Sequence, residues 1–170
     1  FPVKMEKGKE YNIELRHTQK GKYVSITFDV YRKDPVNFAA AKEKVRDADV
    51  IVFAGGLSPS LEGEEMMVNA EGFKGGDKTS IDLPKVQREL LAELRKTGKP
   101  VVFVLCTGSS LGLAQDEKNY DALISAWYGG QSGGTAVADV LAGDYNPSGR
   151  LPVTFYKNLE QLDNNLSKTS

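Results

Sequence analysis

The longest apolar runs of the chain predict buried strands. One occupies residues 49–54 and ends before Gly55-Gly56, where we expect the strand to stop, and a second occupies residues 101–106. Near-continuous apolar runs are typical of strands in a parallel sheet that helices cover on both faces. A third apolar strand is predicted over 120–127, so that Trp127 ends it close to the carboxyl ends of the other two.

Helical patterns separate these strands. An amphipathic helix is predicted over 83–98, between the first two strands, and Gly98 is placed to end it. Asp34-Pro35 offers an N-cap and a first helical position to an earlier helix that reaches Asp47. A short helix is expected over 135–142, before a glycine. The apolar stripes are Val36, Ala39, Ala40 and Val45 on the earlier helix, and Val86, Leu90, Leu91 and Leu94 on the amphipathic one.

The order of these elements predicts the fold class. Strands that alternate with helices imply right-handed parallel crossovers, and therefore an α/β fold: a three-layer α/β/α sandwich with a mostly parallel sheet. Two alternating runs before it are typical of a β-hairpin. We therefore divide the chain into a hairpin segment over 1–33, a sandwich domain over 34–156 that closes on a short strand, and a polar surface tail over 157–170.

Composition and charge narrow the possible functions. A chain of 170 residues suits one domain, which buries about 70% of the surface that its unfolded chain exposes. Its 22 basic and 23 acidic residues nearly balance and form no basic block, so nucleic acid and anionic membranes are not expected partners. No apolar stretch is long enough to span a membrane, and Phe1 is neither Met nor part of a signal-peptide core, which favours a piece of a longer protein.

Metal and triad chemistry find little support in the sequence. The single cysteine, Cys106, lies in the second apolar run and is predicted to be a small buried hydrophobe. The single histidine, His17, lies in the predicted hairpin, which argues against a zinc site or a Ser-His-Asp triad. The glycine-rich run 129–134 lacks the ending of a phosphate-binding loop and indicates tight strand-to-helix packing instead. No cofactor is expected.

The long segment after the first strand is the candidate site. It runs over 57–77 without a sustained helical or strand period, and α/β sheets bind their ligands in loops at the carboxyl ends of strands. It contains three carboxylates around one glycine: Glu62, Glu64 and Glu65. They could form a solvated acidic loop, or one of them could be a proton donor whose protonated form Met66 and Met67 favour. Mutual repulsion of three charged glutamates slightly favours the second interpretation.

Three motifs resemble the C-terminal domain of family 3 glycoside hydrolases. They lie at 48–66, at 76–87 and at 127–155, and the last opens with Trp127-Tyr-Gly-Gly-Gln-Ser-Gly-Gly. The resemblance covers roughly 38–156. The family contains β-glucosidases, β-xylosidases and related exo-acting enzymes, so it implies a β-linked glycoside as substrate and a periplasmic or secreted location.

The resemblance also implies a mechanism divided between two domains. An N-terminal (β/α)8 barrel carries an Asp nucleophile, and a loop of the α/β sandwich supplies a Glu acid/base. In retaining glycosidases the two carboxyl groups lie about 5–5.5 Å apart. Since the chain has no room for a barrel, we expect the barrel to be a partner domain of the same polypeptide and this piece to be inactive alone.

The family pattern assigns candidate residues within the loop. Matching its Glu-Gly setting makes Glu64 the acid/base, with Glu62 as the nearest alternative. Glu65, Asp77 and Lys78 are the expected substrate-binding residues, although the family commonly has Gly at the position of Glu65 and Arg at that of Lys78. The hairpin segment resembles the end of a carbohydrate-binding β-domain that is inserted in some members.

A second class of function stays open on the sequence. The chain could be a non-catalytic sugar-binding or structural domain of the same fold, in which the acidic loop forms only a rim. A barrel encoded upstream, with an Asp at the end of a late strand, would favour the catalytic interpretation.

Overall fold

The chain forms two compact units, Phe1–Asp34 and Pro35–Ser170. The computed structural model describes residues 3–18, 20–22, 26, 28, 30, 34–62, 68, 70–74 and 77–162. In the first unit, residues 11–17 carry no strand. Most of the second run of the predicted hairpin, 22–31, lies outside the described residues, and so does the tail from 163 onward.

The second unit contains all the helices and strands that the structure assigns. In chain order they are α1 (Phe38–Lys44), β1 (Ile51–Gly56), β2 (Phe73–Lys74), β3 (Asp77–Lys78), α2 (Lys85–Arg95), β4 (Val101–Cys106), a 3-10 turn (Glu117–Asn119), β5 (Ala122–Ser125) and α3 (Gly133–Ala142).

A three-stranded parallel sheet organises this unit, in the order β1-β4-β5. Ile51 lies opposite Val101, and Val102 lies opposite Ala122. The prediction that the two strongest apolar runs pair in parallel is confirmed, as is the α/β class with a mostly parallel sheet. The third strand, β5, is shorter than predicted and ends two residues before Trp127.

The core lies between one face of the sheet and α2. Leu91 and Leu94 of α2 are buried together with Ile51 and Phe53 of β1 and with Phe103 of β4, and the central strand contributes the most deeply buried side chains. The other face of β1 is open, because Val52 is 52% exposed. Among the described residues, β1 alternates like a half-buried strand.

The starts of α1 and α3 differ from the predictions. The Asn37 side chain accepts a hydrogen bond from the Ala40 backbone N–H at 3.0 Å, so α1 begins after Asn37 and not at Asp34-Pro35. The last helix, α3, starts two residues earlier than predicted, within the glycine-rich run, and ends as predicted at Gly143, which is left-handed with φ 82°.

Two further expectations near the carboxyl end of the sheet need correction. The short strand predicted before Phe155 does not form, and Phe155 instead packs edge-on against Trp127, with ring centroids 6.4 Å apart. Cys106 is only partly buried, because it is the last residue of β4.

The end of β1 fixes where the candidate site leaves the sheet. The strand continues through Gly55 and Gly56 instead of stopping before them. Gly56 has φ 123°, and a Cβ there would lie 1.9 Å from the Cys106 carbonyl oxygen, so only glycine fits. The Gln87 side-chain amide holds this residue from the other side: its oxygen accepts from the Gly56 N–H at 2.7 Å, and its nitrogen donates to the Gly56 carbonyl at 2.8 Å.

Candidate functional site

A tight turn places Glu62 directly above the sheet. The backbone N–H groups of Leu61 and Glu62 both donate to the Ser58 carbonyl, at 2.9 and 3.1 Å. This turn folds the chain back immediately after β1. The Glu62 side chain is consequently only 10% exposed and lies over the carboxyl end of β4.

One oxygen of the Glu62 carboxylate is held by side chains. Lys78 Nζ donates to Oε1 at 2.8 Å and the Thr107 hydroxyl at 3.2 Å, and the Ser109 hydroxyl also donates to it. Lys78 Nζ donates to the Ser109 hydroxyl as well, so the ammonium group bridges the carboxylate and the loop after β4. Charge-assisted hydrogen bonds of this kind are about twice as strong as neutral ones.

The other oxygen is held from two different segments. The Gly108 backbone N–H donates to Oε2 at 2.7 Å, and the Tyr128 hydroxyl also donates to it. A Cβ at Gly108 would lie 2.8 Å from the Tyr128 ring, so glycine is required there for Tyr128 to reach the carboxylate.

This network keeps the carboxyl group of Glu62 ionised. Burial by itself would raise its pKa, but the hydrogen bonds from Lys78, Ser109, Tyr128 and the Gly108 N–H outweigh burial and lower the pKa to about 2. Burial, and then the hydrogen bond to Glu62, raise the pKa of Tyr128, which therefore stays a protonated donor. At neutral pH Glu62 is an acceptor with no proton to give.

A strained residue directs Tyr128 toward Glu62. Trp127 has φ 54°, a left-handed conformation that is rare for a bulky side chain. Its ring packs against Phe155, which holds it in place. Such strain persists only where surrounding packing determines it, and it is concentrated at functional sites.

The C-terminal end of the candidate loop contains two short paired strands that the sequence did not predict. Strands β2 and β3 pair antiparallel, with Phe73 opposite Lys78 and Lys74 opposite Asp77. The hairpin brings Lys78 back to Glu62. Both residues line a cleft of about 380 Å³. Its lining consists of Pro59, Glu62, Phe73, Lys78, Gly108, Ser109 and Tyr128.

The predicted site residues fall into two groups. Glu62 and Lys78 are brought together by an ion pair, whereas Asp77 lies on β3 with its side chain exposed. Glu64 and Glu65 lie outside the described residues, so their roles stay predictions.

Sequence reasoning missed most of the partners of Glu62. Thr107, Gly108 and Ser109 directly follow the second apolar run, and Tyr128 lies in the third family motif, but none of them is among the predicted site residues. One signal could have located the first group: small polar residues directly after a buried parallel strand lie at the edge where such sheets bind ligands. Nothing in the sequence pairs Tyr128 with Glu62.

The part of the chain that the structure describes contains neither a cluster of metal-ligating side chains nor an apolar helix of membrane-spanning length. No group of three or more His, Cys, Asp or Glu side chains converges there as metal ligands. Among the same residues, no helix combines the length and the apolar character that crossing a membrane requires.

Comparison with known proteins identifies the family. Residues 6–170 match the glycosyl hydrolase family 3 C-terminal domain. The chain belongs to this family, and the resemblance of its motifs is confirmed.

The similar proteins carry the names of xylosidases and glucosidases. The chain is 52% identical over 161 residues to a xylan 1,4-β-xylosidase of Xylanibacter ruminicola, covering 94% of this chain and 19% of that protein. It is 38% identical to a periplasmic β-glucosidase of Salmonella typhimurium, covering 72% and 15%. A crystal structure of a family 3 β-glucosidase from Bifidobacterium adolescentis is 33% identical and superposes with a TM-score of 0.65, over 75% of this chain and 18% of that one. The chain thus spans less than a fifth of the length of each.

Proposed function

We propose that this domain is part of a retaining, exo-acting β-glycosidase of the β-xylosidase or β-glucosidase type. The observation that carries the proposal is the 52% identity to a xylan 1,4-β-xylosidase over nearly the whole chain. The substrate is a terminal β-linked sugar. The nucleophile is an Asp on an N-terminal barrel of the same polypeptide, and the loop after β1 supplies the acid/base to the shared active site.

We assign the acid/base to Glu64. A general acid must hold its proton at the working pH, and the carboxylate of Glu62 is ionised and occupied by hydrogen bonds from three segments. Glu62 therefore serves poorly as the donor. Glu64 follows two residues later in the sequence and is the residue that the family pattern selects.

The predicted substrate-binding residues receive different roles, according to the contacts that their side chains already make. Lys78 is committed to Glu62 and Ser109, so we propose that it acts on the sugar only indirectly. Asp77 is exposed, which leaves it free to contact a hydroxyl group of the substrate, and Glu65 takes the same role beside Glu64.

The proposed reaction has two steps. The barrel Asp attacks the anomeric carbon while Glu64 transfers its proton to the glycosidic oxygen, so the aglycone leaves as an alcohol. Glu64, now a carboxylate, removes a proton from water, and the resulting hydroxide equivalent displaces the Asp from the sugar. Two inversions give net retention.

The relatives also suggest where the protein acts. We propose a periplasmic or secreted location, which the similarity to a periplasmic β-glucosidase supports. β-Linked oligosaccharides from outside the cell would then reach the enzyme directly.

The stereochemistry of the first product tests the proposed reaction. The full-length protein should hydrolyse aryl β-D-xyloside or β-D-glucoside and release the β-anomer first, as proton NMR would record within minutes of mixing. The matching α-glycosides are the control and should not react. Release of the α-anomer first would contradict retention, and failure on every β-glycoside would favour a non-catalytic sugar-binding domain.

A further inference from the structure

The hydrogen bonds of Glu62 connect parts of the chain that lie far apart. Its partners stand between 16 and 66 residues away in the sequence. They belong to three segments: the end of the loop that follows β1 and runs over 57–78, called the site loop below, the turn after β4 and the turn after β5. One carboxylate thus joins three segments at the carboxyl edge of the sheet.

The same carboxylate closes the site loop on itself. Glu62 lies near the start of the loop and Lys78 lies at its end, and their 2.8 Å ion pair joins the two. Neither side chain is open to solvent, with 10% of Glu62 and 20% of Lys78 exposed, so water screens the pair weakly. The residues between them, including Glu64, are therefore carried on a loop whose two ends are tied together.

Backbone geometry at two further positions favours the contact between Tyr128 and Glu62. Only glycine fits at position 108, because the Tyr128 ring occupies the space of a Cβ, and Tyr128 follows a residue in a left-handed conformation. The glycine at position 108 and the left-handed backbone of Trp127 thus both allow the Tyr128 hydroxyl to reach the Glu62 carboxylate. A solvated surface glutamate would require neither.

We propose that Glu62, Lys78 and Tyr128 form a clamp that positions the acid/base of the loop, with Glu62 as a positioning residue and not a catalytic one. This proposal rests on the proposed glycosidase function for its catalytic consequence, although the clamp itself does not depend on that function. Glu64 lies two residues beyond Glu62, so a displacement of the clamp moves the proton donor with it. A misplacement of 1 Å costs about 10²-fold in rate.

Glu62→Gln and a pair of Lys78 variants test the clamp in the full-length enzyme. Glu62→Gln keeps the shape but removes the charge that binds Lys78, so kcat on alkyl β-glycosides should fall about 10²-fold while KM changes far less. Lys78→Met should behave similarly, and Lys78→Arg, which preserves the charge, should recover most of the loss. Hydrogen exchange of peptides covering 57–79 should become faster in Glu62→Gln and Lys78→Met.

Two control variants distinguish loss of the clamp from loss of any carboxylate or phenol hydroxyl elsewhere in the domain. Glu93→Gln removes a carboxylate that binds Lys42 and Lys96 away from the site, and Tyr145→Phe removes an exposed phenol hydroxyl. Neither should change exchange of the loop. Tyr128→Phe should change it in the same direction as Glu62→Gln.

Hydrogen exchange of the loop tests the clamp, and hydrolysis of β-glycosides tests the proposed function, so the two can fail independently. Unchanged loop exchange in Glu62→Gln, or Lys78→Arg no better than Lys78→Met, would overturn the clamp. If the wild-type protein hydrolyses no β-glycoside, the proposed function fails, and exchange of the loop alone then decides whether the clamp exists.

Discussion

Glu64→Gln in the full-length protein should abolish most hydrolysis of substrates with poor leaving groups. Alkyl β-glycosides and disaccharides need a proton on the departing oxygen, so their kcat/KM should fall by about 10²–10⁴-fold. Aryl glycosides with acidic phenols depart without that proton and should lose far less in the first step. A plot of rate against leaving-group pKa should therefore steepen in the variant, as steady-state kinetics on a series of substituted phenyl glycosides would measure.

Glu71→Gln is the control for this series. It neutralises another glutamate of the same loop, one that is exposed. Its leaving-group dependence should match that of the wild type. Wild-type rates for Glu64→Gln on alkyl glycosides would show that the acid lies elsewhere.

Phe103→Ala should destabilise the domain by about 3–5 kcal/mol, the range for a large aromatic side chain removed from a core. Phe103 is fully buried in the central strand β4. Its ring packs against Phe53 at a centroid distance of 5.3 Å and against Tyr120 at 5.7 Å. These contacts join β4 to β1 and to the residue that follows the 3-10 turn, so the cavity left behind cannot collapse easily.

Urea unfolding of this chain measures the effect, because Trp127 is its single tryptophan and reports fluorescence from the edge of the sheet. Val52→Ala on β1 is a control, since Val52 is 52% exposed, and should cost about 1 kcal/mol or less. Equal losses for the two variants would contradict the burial of Phe103 and the exposure of Val52 in this structure.

The strands and the order of the sheet could be predicted because their signals are local. The apolar run 101–106 coincides with β4, and an amphipathic helix between two such runs favours a parallel crossover. The open face of β1 could not be predicted in the same way. Val52 is as apolar as Ile51, so the run gives no sign that only alternate residues are covered.

Local competition explains the helix that started late. Asp34-Pro35 has the composition of a helix start, but Asn37 is an equally good cap three residues later, and the structure uses Asn37. Propensity alone does not choose between two adequate caps. Packing against α2 is the nearest tertiary constraint on α1.

The candidate site was only partly predictable, for a physical reason. The cluster of glutamates marked the loop, and family motifs selected Glu64 and Glu62 within it. What distinguishes Glu62 is its set of partners, and Lys78 and Tyr128 reach it from 16 and 66 residues away. Periodicity and composition describe neighbours along the chain, so they carry no information on such contacts.

Azide rescue tests the central claim, that Glu64 donates the proton and Glu62 does not. Azide attacks the glycosyl-enzyme intermediate without help from a base, so it should accelerate turnover of an activated aryl glycoside by Glu64→Gln and yield the β-glycosyl azide, identified by NMR. Glu62→Gln keeps its base, although the clamp no longer positions it, so azide should accelerate this variant far less than Glu64→Gln. Azide rescue of Glu62→Gln with none in Glu64→Gln would contradict this assignment and make Glu62 the acid/base.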